Sequence, residues 1–525
     1  MKVLFVRPNE VGAQSIPIGI TVLQACLKKA GHDVLVFDTT FLSSNFQEIT
    51  ERYQAMGFFK PVDISSYIRS KDCDVGEELM SVIDDFHPDI VAFSLMSNDF
   101  LYSKRLAELI KKKYPDLLTI FGGIHPTVDP EDTINLDCVD MLCVGEGEEA
   151  LVELVDRIEK GQDITAVKNV WMKKNGKIIR NEVRPFVDLD NIPVPDCTGF
   201  SQKHLYRPFW GKVYRIMDVE MSRGCHFNCF ECINFYLRKL YKKDCRYHRE
   251  KSFPKAIADL KFIKENYKPD ILRFMDEIMM PWNVSKMREF AEFYKKEIGL
   301  PFIAFGKVGY LNEEKVDILK DMGCISLSFG LESGNDHLRK KILNRHMTNK
   351  QIVETFQLCN RKRLRTTAFN LLGLPEEGRK EIFDTIEANR QSDPGVTCAG
   401  FVYPFAGTVL REYCLKKGYI DEDVPMVNYD VDTVIRNDRI SKQEQYGLLK
   451  TFILYVSVPK WMYPIVRFCE LPNQVSYWLY CKLVKYFRDK NFRKNDERYD
   501  PIPEIADSAP VLNDFDVSEV VIKNH

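Results

Sequence analysis

The sequence predicts an α/β protein in three parts: an N-terminal Rossmann-like doubly wound parallel sheet, a partial (βα)6 TIM-like barrel, and a helical C-terminal region. Three observations carry that expectation. Short apolar runs alternate with amphipathic stretches over residues 1–165, the alternation returns over 211–425 after a Pro-rich break, and residues 426–525 lose the strand runs. At 525 residues the chain has room for several domains, at roughly 150 residues each.

In the first part, strands are expected at Val3–Val6, Val34–Phe37, Ile90–Ser94, Leu117–Phe121 and Met141–Val144. Between them Ile20, Leu23, Leu27 and Ala30 keep helical spacing, and Gly31 stops the helix. Leu79, Val82, Ile83 and Phe86 repeat the pattern, as do Leu101, Leu106, Leu109 and Ile110. Residues 166–210 break it: Asn175-Gly176 marks a small hairpin, and Pro193 and Pro195 mark a linker.

In the second part, strands are expected at Val219–Ser222, Ile271–Phe274, Phe302–Phe305, Ile325–Phe329, Thr366–Leu372 and Ala399–Tyr403. Helical patterns at Phe253–Tyr267, Val284–Glu297 and Asn312–Met322 lie between them. Six such units make a partial barrel, whose site belongs at the C-terminal strand ends. In the third part, residues 446–470 and 475–490 are aromatic and partly basic. They read first as a helical cap on the barrel, and second as a surface for peripheral membrane contact. The final 25 or so residues read as a polar, irregular tail.

Composition removes several function classes. The net charge of −2 provides no basic field for nucleic acid. Arg7 and Pro8 interrupt the first apolar run, so it reads as a buried strand rather than a leader. No apolar stretch reaches the ~18 residues of a membrane span. Fifteen cysteines without a secretory leader read as thiols or metal ligands in a reducing cytoplasm.

Cys225-His-Phe-Asn-Cys229-Phe-Glu-Cys232 is the strongest chemical signal. It follows the first barrel strand, with Arg223-Gly224 as the turn, where a barrel's site belongs. Three thiolates so close can converge on one 4Fe–4S cluster and leave one iron open, since a full protein set is four cysteines. Zinc is the other reading: it takes four ligands, and Cys245 and His248 follow shortly.

With this loop the chain resembles the radical S-adenosylmethionine (SAM) superfamily. Further stretches match in order: Asp276-Glu277, Ser328-Phe-Gly-Leu-Glu332-Ser-Gly-Asn335, Leu343-Asn-Arg345 with Thr348, Asn370-Leu-Leu-Gly373-Leu-Pro375, and Tyr403-Pro-Phe-Ala-Gly407-Thr408. The resemblance implies that Cys225, Cys229 and Cys232 hold the cluster. It also implies SAM contacts from Phe230, Glu231, Asp276, Glu332, Arg345, Asn370 and Pro375. Glu231 stands where the family usually has an aromatic, with Phe230 one residue earlier.

In the first part, Ser94 and Ser97 end the third strand, Phe121-Gly122-Gly123-Ile-His125-Pro-Thr127 follows the fourth, and Val144-Gly145-Glu146-Gly147-Glu148 follows the fifth. Glycine pairs let backbone approach a ligand, and the carboxyl edge of an open α/β sheet is where ligands bind. A plain Rossmann-like sheet with glycine turns is the blander reading. Ahead of a radical SAM core, these stretches resemble the cobalamin-binding domain of cobalamin-dependent radical SAM enzymes. The first loop, Arg7–Pro17, has no histidine, so the resemblance implies base-off cobalamin without the corrinoid-protein D-x-H-x-x-G ligand. His125 is then a loop-shaping or tail contact.

The resemblance implies reductive cleavage of SAM to a 5′-deoxyadenosyl radical and methylation of an unactivated carbon of a small molecule or natural product, an apolar one being among the candidates. A flavodoxin or ferredoxin would be the electron donor. Three other readings stand beside it: a cobalamin-associated cyclase or ring-rearranging oxidase, an RNA methylthiotransferase, and a non-catalytic corrinoid or zinc module. The methylthiotransferase needs further N-terminal cluster cysteines, and Cys26, Cys73, Cys138 and Cys143 are scattered.

Overall fold

The structure is a computed structural model that describes residues 1–10, 14–42, 60–71, 73–241, 247–427 and 432–503. The polar tail expected at the C-terminus lies outside them. The chain divides after Asp218 into two compact units.

The first unit alternates β1 (Lys2–Arg7), α1 (Ile18–Lys29), β2 (Asp33–Asp38), α2 (Val75–Phe86), β3 (Ile90–Ser94), α3 (Phe100–Lys113), β4 (Leu118–Gly122), β5 (Met141–Cys143) and α4 (Glu148–Glu159). Its sheet runs in the order β2-β1-β3-β4-β5, all parallel. β1 and β3 are buried on both faces, which explains their unbroken apolar runs. Asp74 caps α2 by accepting the Glu77 N–H at 3.0 Å. The hairpin expected as a separate segment is instead part of this sheet: β6 (Val170–Lys174) pairs antiparallel with β5, and β7 (Lys177–Arg180) with β6. Residues 124–128 and 130–134 form two short helices that apolar periodicity does not signal.

In the second unit, α5 (Phe253–Tyr267), β8 (Ile271–Phe274), α6 (Val284–Glu297), β9 (Phe302–Gly306), α7 (Glu313–Asp321), β10 (Cys324–Glu332), α8 (Asn349–Arg361), β11 (Arg365–Leu372), α9 (Arg379–Ser392) and β12 (Val396–Phe401) follow in order. The five strands pair in sequence, all parallel, as a curled half-barrel. Ser252, Asn283, Asn312 and Thr348 cap α5 to α8. The first expected barrel strand is corrected in register. A strand runs from Lys212 and ends at Val219, whose carbonyl accepts the Met275 N–H at 2.9 Å. Ser222–Arg223 instead forms a separate antiparallel pair with Arg249–Glu250.

Three C-terminal helices, α10 (Lys442–Ser457), α11 (Tyr463–Cys469) and α12 (Gln474–Arg498), complete this unit. Leu448, Phe452, Tyr455, Val466 and Phe487 share one core with Leu372, Ile386 and Phe401. The cap reading therefore holds for their inner faces.

Candidate active site

The cysteine loop is fixed at both ends before it reaches its sulfurs. Asp276, buried at the end of β8, accepts the Met221 N–H at 3.2 Å and the Ser222 hydroxyl. Burial pushes its carboxyl up to about 7. Gly224 turns the chain at φ +85°, and a Cβ there would lie 2.2 Å from the Tyr247 carbonyl oxygen. Only glycine permits that approach. Arg238 donates to the Cys225 and Phe227 carbonyls and to the Asn228 side chain. The Phe230 N–H donates to Leu343 and its carbonyl accepts from Leu410, each at 3.0 Å.

Cys229 is buried, and Cys225 and Cys232 are half-buried. The Asn234 amide donates to Cys232 Sγ at 3.3 Å, the kind of bond that tunes cluster sulfurs. Among the described residues the three sulfurs do not gather at the ligand spacing of a single ion; the group that does is His32, Asp156 and Glu159. His248 stacks on His226 at 4.2 Å, and Cys245 lies outside the described residues. A set of three thiols, wider than one ion needs, fits a cuboidal cluster better than zinc. Burial pushes the three thiols up, Cys232 to about 11; a metal reverses this by taking the thiolate.

Arg345 lies within electrostatic reach of Cys229, between two carboxylates. Its Nε is 2.6 Å from Glu231 Oε1 and its Nη2 3.1 Å from Glu332 Oε1. Burial opposes the charge, yet the two carboxylates hold the guanidinium protonated. Glu332 sits at φ +63°, a strained backbone for a side chain of its size. At Gly330 a Cβ would meet Glu332 Oε1 at 2.1 Å. Lys307 is a second cation here, half-buried, with burial lowering its pKa. Glu231 Oε2 is buried without a hydrogen-bond partner among the described residues. Two cations and two carboxylates, one with an oxygen free, suit a ligand that carries both an amino and a carboxylate group.

Sequence reasoning misses what supports this group. Arg339 is fully buried, donates to the Ser333 carbonyl at 2.6 Å and the Met347 carbonyl at 2.9 Å, and its own carbonyl accepts the Arg345 N–H at 2.8 Å. Followed by Lys340 and Lys341, it gives no sign of burial in the sequence. Other expected contacts have structural partners. Asn370 is bonded to Asn389 on α9 at 2.7 Å and to the Cys398 carbonyl at 2.9 Å, so its amide is engaged on the helix side of β11. Thr348 is a helix cap. Pro375 is buried in a turn where Glu377 accepts the Gly373 and Leu374 N–H groups at 2.7 and 3.2 Å.

In the first unit the expected loops converge at the carboxyl edge. Thr127 Oγ1 donates to the Gly123 carbonyl at 2.7 Å and accepts the Gly145 N–H at 2.9 Å, tying the β4 and β5 loops together. Gly123, at φ +97°, has no room for a Cβ, which would be 2.6 Å from the Leu95 carbonyl. His125 Nδ1 is 3.2 Å from Ser97 Oγ, its ring stacks on Phe100 at 4.0 Å, and its Nε2 is buried without a partner among the described residues. Burial lowers its pKa to about 4, so it is neutral. Ser94 pairs in register with Gly122. Glu146 accepts the Val187 N–H at 3.1 Å, and Gly147 packs on Leu23. At the β1 and β2 ends, Arg7, Asp38 and His204 form a buried ionic group that sequence reasoning does not single out.

The comparisons agree with this geometry. Residues 7–155 match the B12 binding domain, and residues 219–388 match the Radical SAM superfamily. An uncharacterised methyltransferase of Pyrococcus horikoshii is 24% identical over 471 residues, covering 88% of this chain and 93% of that one. The radical SAM methyltransferase TsrM from Kitasatospora setae, solved with cobalamin and a [4Fe–4S] cluster, superposes with a TM-score of 0.61 at 14% identity, over 94% of this chain and 99% of that one. The cobalamin-dependent radical enzyme OxsB, solved with aqua-cobalamin and SAM, gives 0.64 at 14% identity, over 94% and 72%. The chain therefore joins a B12-binding domain to a radical SAM domain.

Proposed function

We propose that this enzyme holds a 4Fe–4S cluster on Cys225, Cys229 and Cys232, SAM beside it and base-off cobalamin on the first unit, and methylates an unactivated carbon of a small molecule. When bound, these groups supply reductive SAM cleavage and a methyl carrier. The observation that carries the reading is Arg345 clasped between Glu231 and Glu332 next to a loop of three cysteines. The Arg345 guanidinium takes the SAM carboxylate, Glu332 its amino group, and the free Glu231 oxygen a ribose hydroxyl. Phe230 lies along the adenine, and Asp276 holds the loop in register. Burial of the whole group excludes water from the reacting atoms.

On the first unit, Ser94, Ser97, Gly122, Gly123, His125, Thr127, Gly145, Glu146 and Gly147 line the cobalamin site. His125 Nε2 is free to bond the corrin periphery or tail. The base-off state is supported by a first loop without histidine. Methyl transfer is supported by the Pyrococcus relative, a named methyltransferase spanned almost end to end. A flavodoxin or ferredoxin supplies the electron.

The test is anaerobic reconstitution with iron, sulfide and cobalamin, followed by reduction with SAM and a substrate panel. Both S-adenosylhomocysteine and 5′-deoxyadenosine are expected, with a product heavier by one methylene. Deoxyadenosine without S-adenosylhomocysteine would favour the cyclase reading. A Cys229→Ala chain that still cleaves SAM would sink the cluster assignment.

A further inference from the structure

The C-terminal helices bury one face and leave the other apolar and bare. Of the 17 large apolar side chains exposed among the described residues, eight lie between Trp461 and Tyr486. Trp461 is 74% exposed, Val475 65% and Trp478 61%. The segment is not loosely attached. Val466, Val484 and Phe487 anchor it in the core shared with Phe452 and Tyr455. Its outer face is therefore presented by a rigid support. An apolar patch held out in this way marks an interaction surface.

The charges around it are of one sign. From Pro459 to Tyr486 the sequence carries Lys460, Arg467, Lys482 and Lys485 against one acid, Glu470. That acid is already engaged by Arg379 at 2.7 Å and by the Tyr455 hydroxyl. Arg467, Lys482 and Lys485 form no ion pair among the described residues. Lys482 and Lys485 stand four and seven residues after Trp478, on the same stripe of α12. The chain as a whole is slightly negative, at −2, so this patch is a local exception. No helix among the described residues is long and apolar enough to cross a membrane.

We propose that the outer face formed by Trp461, α11 and the N-terminal half of α12 docks on an anionic membrane surface. Tryptophan and tyrosine, flanked by lysine and arginine, are the side chains that settle in a lipid headgroup layer. Trp461, Phe468 and Trp478 enter that layer, and Arg467, Lys482 and Lys485 meet lipid phosphates. A second copy of this chain is a poorer occupant. A symmetric contact would set the unpaired cations of both copies together with no free acid between them. The inference rests on this surface alone and is independent of the reaction proposed above.

The experiment uses the full chain with its cofactors and two sets of vesicles, phosphatidylcholine alone and phosphatidylcholine with phosphatidylglycerol. The chain is expected to sediment with the anionic vesicles, less so as salt is raised, with a blue shift in tryptophan emission. Replacing Trp461→Ser and Trp478→Ser together is expected to weaken that binding by about tenfold or more while leaving the melting temperature unchanged. Lys482→Glu with Lys485→Glu is expected to abolish the preference for anionic vesicles. Failure to bind either vesicle, or binding untouched by the tryptophan changes, would overturn the proposal. So would a concentration-dependent dimer, lost in the tryptophan variant, without vesicle binding.

Discussion

Glu231 Oε1 lies 2.6 Å from Arg345 Nε, across 114 residues of sequence. The contact joins the cysteine loop to the turn after β10, and Glu332 holds the same guanidinium from the other side at 3.1 Å. The position where an aromatic is usual thus carries one half of a buried ion pair.

Removing the cation from this group leaves two buried carboxylates unpaired. Arg345→Met is expected to destabilise the chain by about 3–5 kcal/mol, whereas Glu231→Gln, which leaves Arg345 paired with Glu332, costs about 1–2 kcal/mol. Urea unfolding under anaerobic conditions measures both. Equal costs would show that Glu231 and Glu332 are not balanced through Arg345.

The close approach at Gly224 is a condition for assembling the cluster loop. Gly224→Ala adds left-handed strain of about 1–2 kcal/mol to a clash with the Tyr247 carbonyl. Iron per chain after reconstitution is expected to fall several-fold. Gly418→Ala is the matched control: Gly418 is also at positive φ, +74°, but nothing lies within 4 Å of its Cβ position. Its iron content should not change.

Glu377 makes stability fall as pH rises from 4.5 to about 8. Burial raises its carboxyl from 4.5 to about 8. Between those values the unfolded chain has lost the proton and the folded chain keeps it, so folding is fully favoured below 4.5 and weakens as pH rises towards 8. Asp276, raised to about 7, acts in the same direction. Glu377→Gln is expected to flatten this slope in part. Melting temperatures from pH 5 to 9 check it, and an unchanged slope would count against a buried neutral acid at 377.

His125 acts with the opposite sign. Burial lowers it from 6.5 to about 4, so the stability it contributes is present above 6.5 and is lost as pH falls towards 4. The imidazole stays neutral across the working range. Cobalamin affinity is therefore expected to be flat from pH 8 to 5.5, and His125→Ala to weaken it about tenfold through one lost hydrogen bond. A titration near pH 6.5 in the binding curve would contradict the buried, neutral ring.

The two α/β units were legible because strand and helix periods write themselves into apolar spacing. Ile90–Ser94, Ile271–Phe274, Phe253–Tyr267 and Val284–Glu297 have the same bounds in the apolar pattern and in the structure. The end of the first barrel strand is not legible, because Met221 and Ser222 are apolar or small and buried like strand residues, yet both donate to Asp276 and Ser222 pairs with Glu250 rather than with the barrel sheet. Asn175-Gly176 marks the hairpin. Nothing local marks its attachment to β5, since edge pairing is a tertiary choice.

At the site, sequence alone determined the chemistry on offer: three cysteines in a short loop, a glutamate and an arginine in their motifs, glycine pairs at strand ends. Those are properties of residue type and spacing. Tertiary structure decided which of them meet. It paired Glu231 with Arg345, turned the Asn370 amide towards Asn389, and buried Arg339 to hold the intervening turn. It also left the Trp461–Tyr486 face bare while burying the opposite one. The physical reason is the same in each case. Burial and partner choice depend on which surfaces long-range packing brings together, and a side chain's sequence neighbours do not reveal that.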